Sequence, residues 1–314
     1  MTSTQATELK RLATFKPTHD AVILGIPFDL GAPRRGSGLA TRAIRYAGLT
    51  ERLTEQGLRV LDAGDVTVPD EGTPHSERLR NLPSVVEMAA STCEAARDAV
   101  RVGQVGVFLG GDHSVAIGTI AGVSSALAER QEHLGLLWFD AHGDFNTAQT
   151  TLSGHIHGMP FAVALGHGTP ELTLLGDFCP KIRPENAVLI GARDLDPDEQ
   201  ALIDATGVKV FTMADVEERG IRAVVEEALA IASAGTAGIH LSFDMDVLDP
   251  REAPGVGSPV HDGMTAREAR LAFKLVGKSG LLRGLDMVEV DPLLDMRNES
   301  ARLAVELIAA AFTR

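Results

Sequence analysis

The chain has 314 residues, 44% of them apolar, with a net charge of −14 at neutral pH and two cysteines. So acidic a surface repels nucleic acid and anionic membranes. No apolar run reaches the length that spans a bilayer, and the polar start Met-Thr-Ser-Thr-Gln-Ala-Thr-Glu has no signal pattern, so a cytoplasmic protein acting on small molecules is expected. Cys93 and Cys179 lie far apart without a C-x-x-C partner, which reads as reduced thiols and not as a disulfide or a zinc site.

Apolar runs recur evenly and no Pro/Gly/Ser-rich linker interrupts them, so residues 1–314 read as one domain. Ala21 to Pro27 reads as a buried strand and Phe28 to Gly38 as a loop rich in Gly and Arg. A helix is expected from about Thr41 to Gln56, a short strand around Arg59 to Asp62, and a surface excursion from Asp65 to Asn81. Pro83 stands at a helix start, and Ser84 to Val102 carries small and apolar residues at helical spacing. Val105 to Leu109 is a strand leading into Gly110-Gly-Asp-His-Ser114, with a helix from Val115 to Arg130. Leu134 to Phe139 is the pivotal strand, followed by Asp140-Ala-His142-Gly-Asp144 and a polar loop from Asn146 to Pro160. Strands at Ala187 to Gly191 and Val208 to Phe211 then alternate with helices at Asp196 to Ala205 and Arg222 to Ser233. Ile239 to Phe243 is a strand running into Asp244-Met-Asp246 and the Pro/Gly-rich loop Leu248 to Gly263. Thr265 caps a helix to about Gly277, with Glu268 three positions on as in a capping box. Leu281 to Val288 is the last strand and Asn298 to Phe312 the last helix. Repeated strand-then-helix order with apolar strands argues a parallel sheet covered on both faces.

Three strands stop at groups able to hold a metal. In extended chain alternate side chains leave the same side, so Asp140, His142 and Asp144 should emerge together, as should Asp244 and Asp246. Open α/β sheets bind ligands at such carboxyl ends. With His113 these make two imidazoles and four carboxylates, too many for one divalent ion but suited to two ions sharing carboxylates. An oxygen-dominated set favours hard ions, manganese first, then iron, cobalt or nickel. A water shared by two ions ionises near neutral pH, so hydrolysis of a carbon centre or a phosphate ester is the generic expectation. The glycines at Gly110-Gly111 form neither phosphate-binding pattern, G-x-x-x-x-G-K-[ST] or G-x-G-x-x-G, so nucleotide binding is set aside.

Gly110-Gly-Asp-His-Ser, Asp140-Ala-His-Gly-Asp, Ser242-Phe-Asp-Met-Asp and Leu248-Asp-Pro together resemble the ureohydrolase superfamily over nearly the whole chain. Leu30-Gly-Ala-Pro-Arg-Arg-Gly, Ser153-Gly-His-Ile-His-Gly-Met-Pro, Ile190-Gly-Ala-Arg-Asp-Leu-Asp and Val288-Glu-Val-Asp-Pro resemble bacterial arginases in particular. The resemblance implies a three-layer α/β/α fold with a mostly parallel eight-stranded sheet, two Mn2+ per chain, and a homotrimer or homohexamer. It implies hydrolysis of the guanidino group of L-arginine to L-ornithine and urea by a metal-bridging hydroxide. One ion would be held by His113, Asp140, Asp144 and Asp244, and the other by His142, Asp140, Asp244 and Asp246, with Asp140 and Asp244 bridging. Asp144 would also orient the hydroxide, His157 transfer a proton, and Glu289 bind the guanidinium. Asn146, Thr151 and Ser153 match positions that bind an α-carboxylate; Asp194, Asp196 and Glu199 sit in the stretch that binds an α-ammonium. The family pattern is departed from at His155, where Asn is usual, at Ala40-Thr41 and at His261-Asp262. His155 in its charged form could pair with a substrate carboxylate. These departures leave agmatine, guanidinobutyrate, hydroxyarginine or another guanidino or formimino compound as the alternative substrate. A non-catalytic, metal-bound binding protein is argued against by the intact ligand set and by His157. Apart from the resemblance, Glu289 reads as a surface charge at a strand end, and so does Asp286.

Overall fold

The computed structural model describes residues 20–101 and 105–313; the polar start, and Val102 at the expected end of the second helix, lie outside them. The apolar runs form eight strands: β1 (Ala21–Gly25), β2 (Val60–Asp65), β3 (Val105–Leu109), β4 (Leu134–Phe139), β5 (Ala187–Ala192), β6 (Lys209–Thr212), β7 (Gly238–Asp244) and β8 (Leu282–Val288). They make one sheet in the order β2-β1-β3-β8-β7-β4-β5-β6, with every neighbouring pair parallel. A parallel sheet needs crossovers and covers both faces, which is why its strands read as continuous apolar runs.

Alternate residues feed two separate cores. Ile23, Leu109, Phe139, Ile190, Phe243 and Met287 face helices α1 (Ala40–Tyr46), α2 (Leu49–Glu55), α8 (Met213–Arg219), α9 (Ile221–Ala232), α10 (Ala266–Ser279) and α11 (Glu299–Ala311). Leu24, Phe108, Leu136, Trp138 and Leu189 face α3 (Leu82–Val100), α4 (Ala116–Ala128), α5 (Pro160–Ala164) and α7 (Pro197–Thr206). The layers are therefore helix, sheet, helix, as the resemblance implied. Each large apolar side chain so buried contributes about 1.5–3 kcal/mol. Among the described residues no helix is long and apolar enough to cross a membrane.

Several expectations change. The helix read from Thr41 to Gln56 is two, broken at Gly48, whose φ of 89° is left-handed. Glycine adopts that conformation at no steric cost and weakens a helix interior, so the chain turns there. β2 runs on to Asp65, because Arg45 from α1 holds both Asp62 and Asp65. Short helices at α5, α6 (Pro170–Thr173) and α8 occupy stretches to which the sequence reading assigned no element; α8 is opened by a capping box between Thr212 and Asp215. Asp286 is not a surface charge: it is fully buried on β8 and accepts hydrogen bonds from Thr119 and Ser242.

Candidate metal centre

The four central strands β3, β8, β7 and β4 bring their carboxyl ends side by side. At three of these ends the same local device recurs. Asp112, Asp140 and Asp244 each accept the backbone N–H two residues on, from Ser114 (2.9 Å), His142 (2.7 Å) and Asp246 (2.8 Å). These are Asx turns, and they correct the expectation of extended chain: the carboxylate closes a turn that swings the second residue towards the centre. Asp144 follows with φ 48° and Glu289, just past β8, with φ 60°. Such left-handed geometry in residues other than glycine costs of order 1–3 kcal/mol and clusters at functional sites.

Two triads result, His113/Asp140/Asp244 and His142/Asp140/Asp246, sharing Asp140. His113 is fully buried and stacks on Trp138 at 4.1 Å, while the Trp138 indole N–H donates to Asp140 Oδ2 at 3.0 Å. His113 Nδ1 lies 3.2 Å from Asp140, 3.1 Å from Asp144 and 3.1 Å from Asp244. His113 Nε2 is 2.9 Å from Ser242 Oγ, whose hydroxyl donates to Asp286. Ser242 therefore accepts from Nε2–H, and the Nδ1 lone pair is left facing three carboxylates. One N–H could satisfy only one of them, and Asp144 Oδ2 is buried with no hydrogen-bond partner. A divalent cation at each focus meets every donor, so the residues present fit a pair of metal ions.

Across the pocket Glu289 accepts from the His113 backbone N–H at 2.8 Å and stands 3.4 Å from His157 Nδ1. Burial works against a charged His157, but the Glu289 carboxylate, with Asp144 and Asp112, raises it to about 9. The cavity between the triads and Glu289 has a volume of about 220 Å3 and is lined by Asn146, Ser153, Asp194, Asp196 and Glu199 as well as by the ligand residues. Asn146 Nδ2 donates to Asp196 and Glu199, while Glu199 also accepts from the Phe145 and Asp196 backbones and so closes the capping box of α7. Thr151 and His155 do not line this cavity. Thr151 Oγ1 accepts from Gly154 N, and His155 faces a neighbouring depression shared with Arg35 and Arg80. Burial, His157 and Arg80 hold His155 below the usual histidine range. His261 and Asp262 are exposed, outside the cavity lining. Ser258 and Gly158, which also line the cavity, and the supports Trp138, Ser242 and Asp286 were given no role by the sequence reading; for the last three, the burial of their strands is the signal that points to them.

Crowding sets the charges. In the metal-free chain burial and Asp140 raise Asp144 from 3.8 to about 7; Asp244 and Asp246 are raised, and the carboxylates raise both His113 and His142. Every one of these groups is protonated more readily folded than unfolded. The contribution of Asp144 is present at low pH and lost as pH rises to about 7, and those of His113 and His142 decline from the ordinary histidine range upward, whereas bound cations compete with the protons and gain affinity over the same window. The melting temperature of metal-stripped protein should therefore fall between pH 5.5 and 8.5 while the increment on adding metal grows. A stripped protein that gains stability across that range would contradict the crowding.

A parallel sheet whose central strand ends carry two His/Asp triads joined through one aspartate defines a binuclear metal-dependent hydrolase. The sequence model of the Arginase family matches residues 19–313. The arginase of Bacillus caldovelox is 45% identical over 293 residues, 92% of this chain and 97% of that protein. The native structure of that enzyme matches with a TM-score of 0.89, 44% identity, 95% of this chain and 99% of the other. Entamoeba histolytica arginase, solved with L-ornithine, matches with a TM-score of 0.85, 28% identity, 94% of this chain and 99% of that chain. The chain belongs to the arginase family, ureohydrolases that act on linear amidines.

Proposed function

We propose that the protein hydrolyses the guanidino group of L-arginine to L-ornithine and urea with two bound Mn2+. The observation that carries this is the Glu289 carboxylate facing two His/Asp triads across one small cavity. His113, Asp140, Asp144 and Asp244 would hold one ion, and His142, Asp140, Asp244 and Asp246 the other. When bound, such a pair supplies a water that ionises near neutral pH and positive charge for the transition state.

The chain's own groups do the rest. Glu289 accepts paired, charge-assisted hydrogen bonds from the planar guanidinium, which fixes its carbon over the triads. Asp144 Oδ2, buried without a hydrogen-bond partner, would accept a hydrogen bond from the attacking water and orient it. His157 has Nδ1 turned to Glu289, so Nε2 is the nitrogen that passes a proton to the departing amine as the C–N bond breaks. At the outer end Asp194, Asp196 and Glu199 receive the α-ammonium. Asn146 and Ser153 receive the α-carboxylate, the amide N–H of Asn146 turning from Asp196 and Glu199 to do so. Thr151 shapes this loop from behind, and His155 adds a polar rim.

Decarboxylated substrate would leave the carboxylate donors unpaired at about 1–3 kcal/mol each, which favours arginine over agmatine. The test is urea release from arginine, agmatine, guanidinobutyrate and hydroxyarginine with metal-reconstituted protein, alongside elemental analysis. We expect two ions per chain and arginine as the best substrate; full activity with one ion, or a preference for agmatine, rejects the reading. We also read the chain as one domain, supported by its continuous sheet. The free Cys93 and Cys179 support a cytoplasmic setting, and family resemblance supports a homotrimer or homohexamer.

A further inference from the structure

Arg193 follows β5, and its guanidinium is spent wholly on the backbone. Nε donates to His261 O at 3.0 Å; Nη1 to Gly191 O at 3.3 Å and Val247 O at 3.1 Å; Nη2 to Asp246 O at 2.9 Å, Leu248 O at 3.3 Å and Val260 O at 2.7 Å. Among the described residues no carboxylate accepts a hydrogen bond from it, although four acidic groups lie near enough to be felt electrostatically. Space is reserved for it, since a Cβ at Gly263 would crowd Nη2.

The acceptors are the turn holding Asp246 and the far end of the loop that leaves it, so one side chain staples residues 246–248 to 260–261. The backbone N–H groups of Arg193 and Asp194 in turn donate to Ala141 O at 2.8 and 3.0 Å, between Asp140 and His142. Arg193 thus ties together the two turns that carry Asp140, His142 and Asp246, while none of these bonds reaches His113. A flat, five-donor guanidinium can bridge so many carbonyls; a lysine ammonium, with three donors at one point, cannot.

We propose that Arg193 is a positioning residue for the second metal ion, the one on Asp140, His142 and Asp246, and that it leaves the first ion nearly untouched. This rests on the two-ion reading above. The experiment titrates metal-stripped wild type, R193K and R193M with Mn2+ alone. It reads stoichiometry by elemental analysis, stepwise affinity by calorimetry, and spin coupling between ions by electron paramagnetic resonance. Wild type should bind two ions and show a coupled spectrum. R193K should bind the first ion within about twofold of wild type and the second about 10–100-fold more weakly, the range typical when a support of a ligand is lost. At one equivalent it should show an uncoupled manganese signal. R193M should behave likewise or more severely; if it does not fold, R193K carries the test. Equal weakening of both ions, or a lower melting temperature of the stripped protein with both affinities unchanged, makes Arg193 merely structural and overturns the proposal. Wild type that takes up a single ion rejects the two-ion reading itself.

Discussion

Asp244→Asn should give a folded protein that holds at most one ion per chain and releases urea at least about 10²-fold more slowly. The substitution is clean because asparagine keeps the side-chain oxygen that accepts from Asp246 N at 2.8 Å, so the turn after β7 survives. What is lost is one negative charge beside His113, where Asp244 Oδ2 lies 3.1 Å from Nδ1. Losing a support behind a ligand costs roughly 10–100-fold in metal affinity, and losing the charge of a ligand shared by both ions should lie at or beyond the top of that range. Metal analysis with turnover on the same sample checks it. Two ions and wild-type rate in the variant would remove Asp244 from the centre.

Glu289→Gln should leave metal content unchanged and lower kcat/KM for arginine by about 10- to 100-fold, the worth of hydrogen bonds to a charged group at about 1.5–3 kcal/mol. Glutamine can still accept from the His113 backbone N–H, so the link between β8 and the β3 turn persists. The second effect is on protons. Glu289 is the leading group that raises His157 to about 9 against its burial, so in the variant His157 loses its proton at lower pH. If protonated His157 serves the departing amine, the alkaline limb of the rate profile should move down in pH. An unshifted limb with unchanged kcat/KM would separate Glu289 from both the substrate and His157.

The strands were legible because burial on both faces leaves an uninterrupted apolar run, and the ligands were legible because each run stops at a carboxylate. The reason for the spacing was not. Asp140 and His142 meet the centre through a turn closed by a side chain, a choice that a two-residue period cannot distinguish from extended strand. Gly48 shows the same limit for helices, since the apolar spacing continues across a residue that reverses the backbone. Asp286 and Arg193 were opaque for a different reason. What makes one buried and the other a clamp is supplied by Thr119, Ser242 and the 246–261 loop, all distant in the chain. Glu289 was found through resemblance alone, because its partner His113 is 176 residues away.

The strand order also sets the stage of synthesis at which the two triads can be assembled. β1 to β3 build one flank of the sheet and β4 to β6 the other, and β3 does not pair with β4; β7 and β8, made last, fill the gap between them. Each triad takes one aspartate from the β7 end, Asp244 or Asp246. A nascent chain that has emerged only as far as β6 therefore carries six of the eight strands and the Asp112 and Asp140 turns, but neither complete triad. Pairing across such sequence separations is slow to form. Both triads are thus complete only once β7 has been made and has paired between the two flanks.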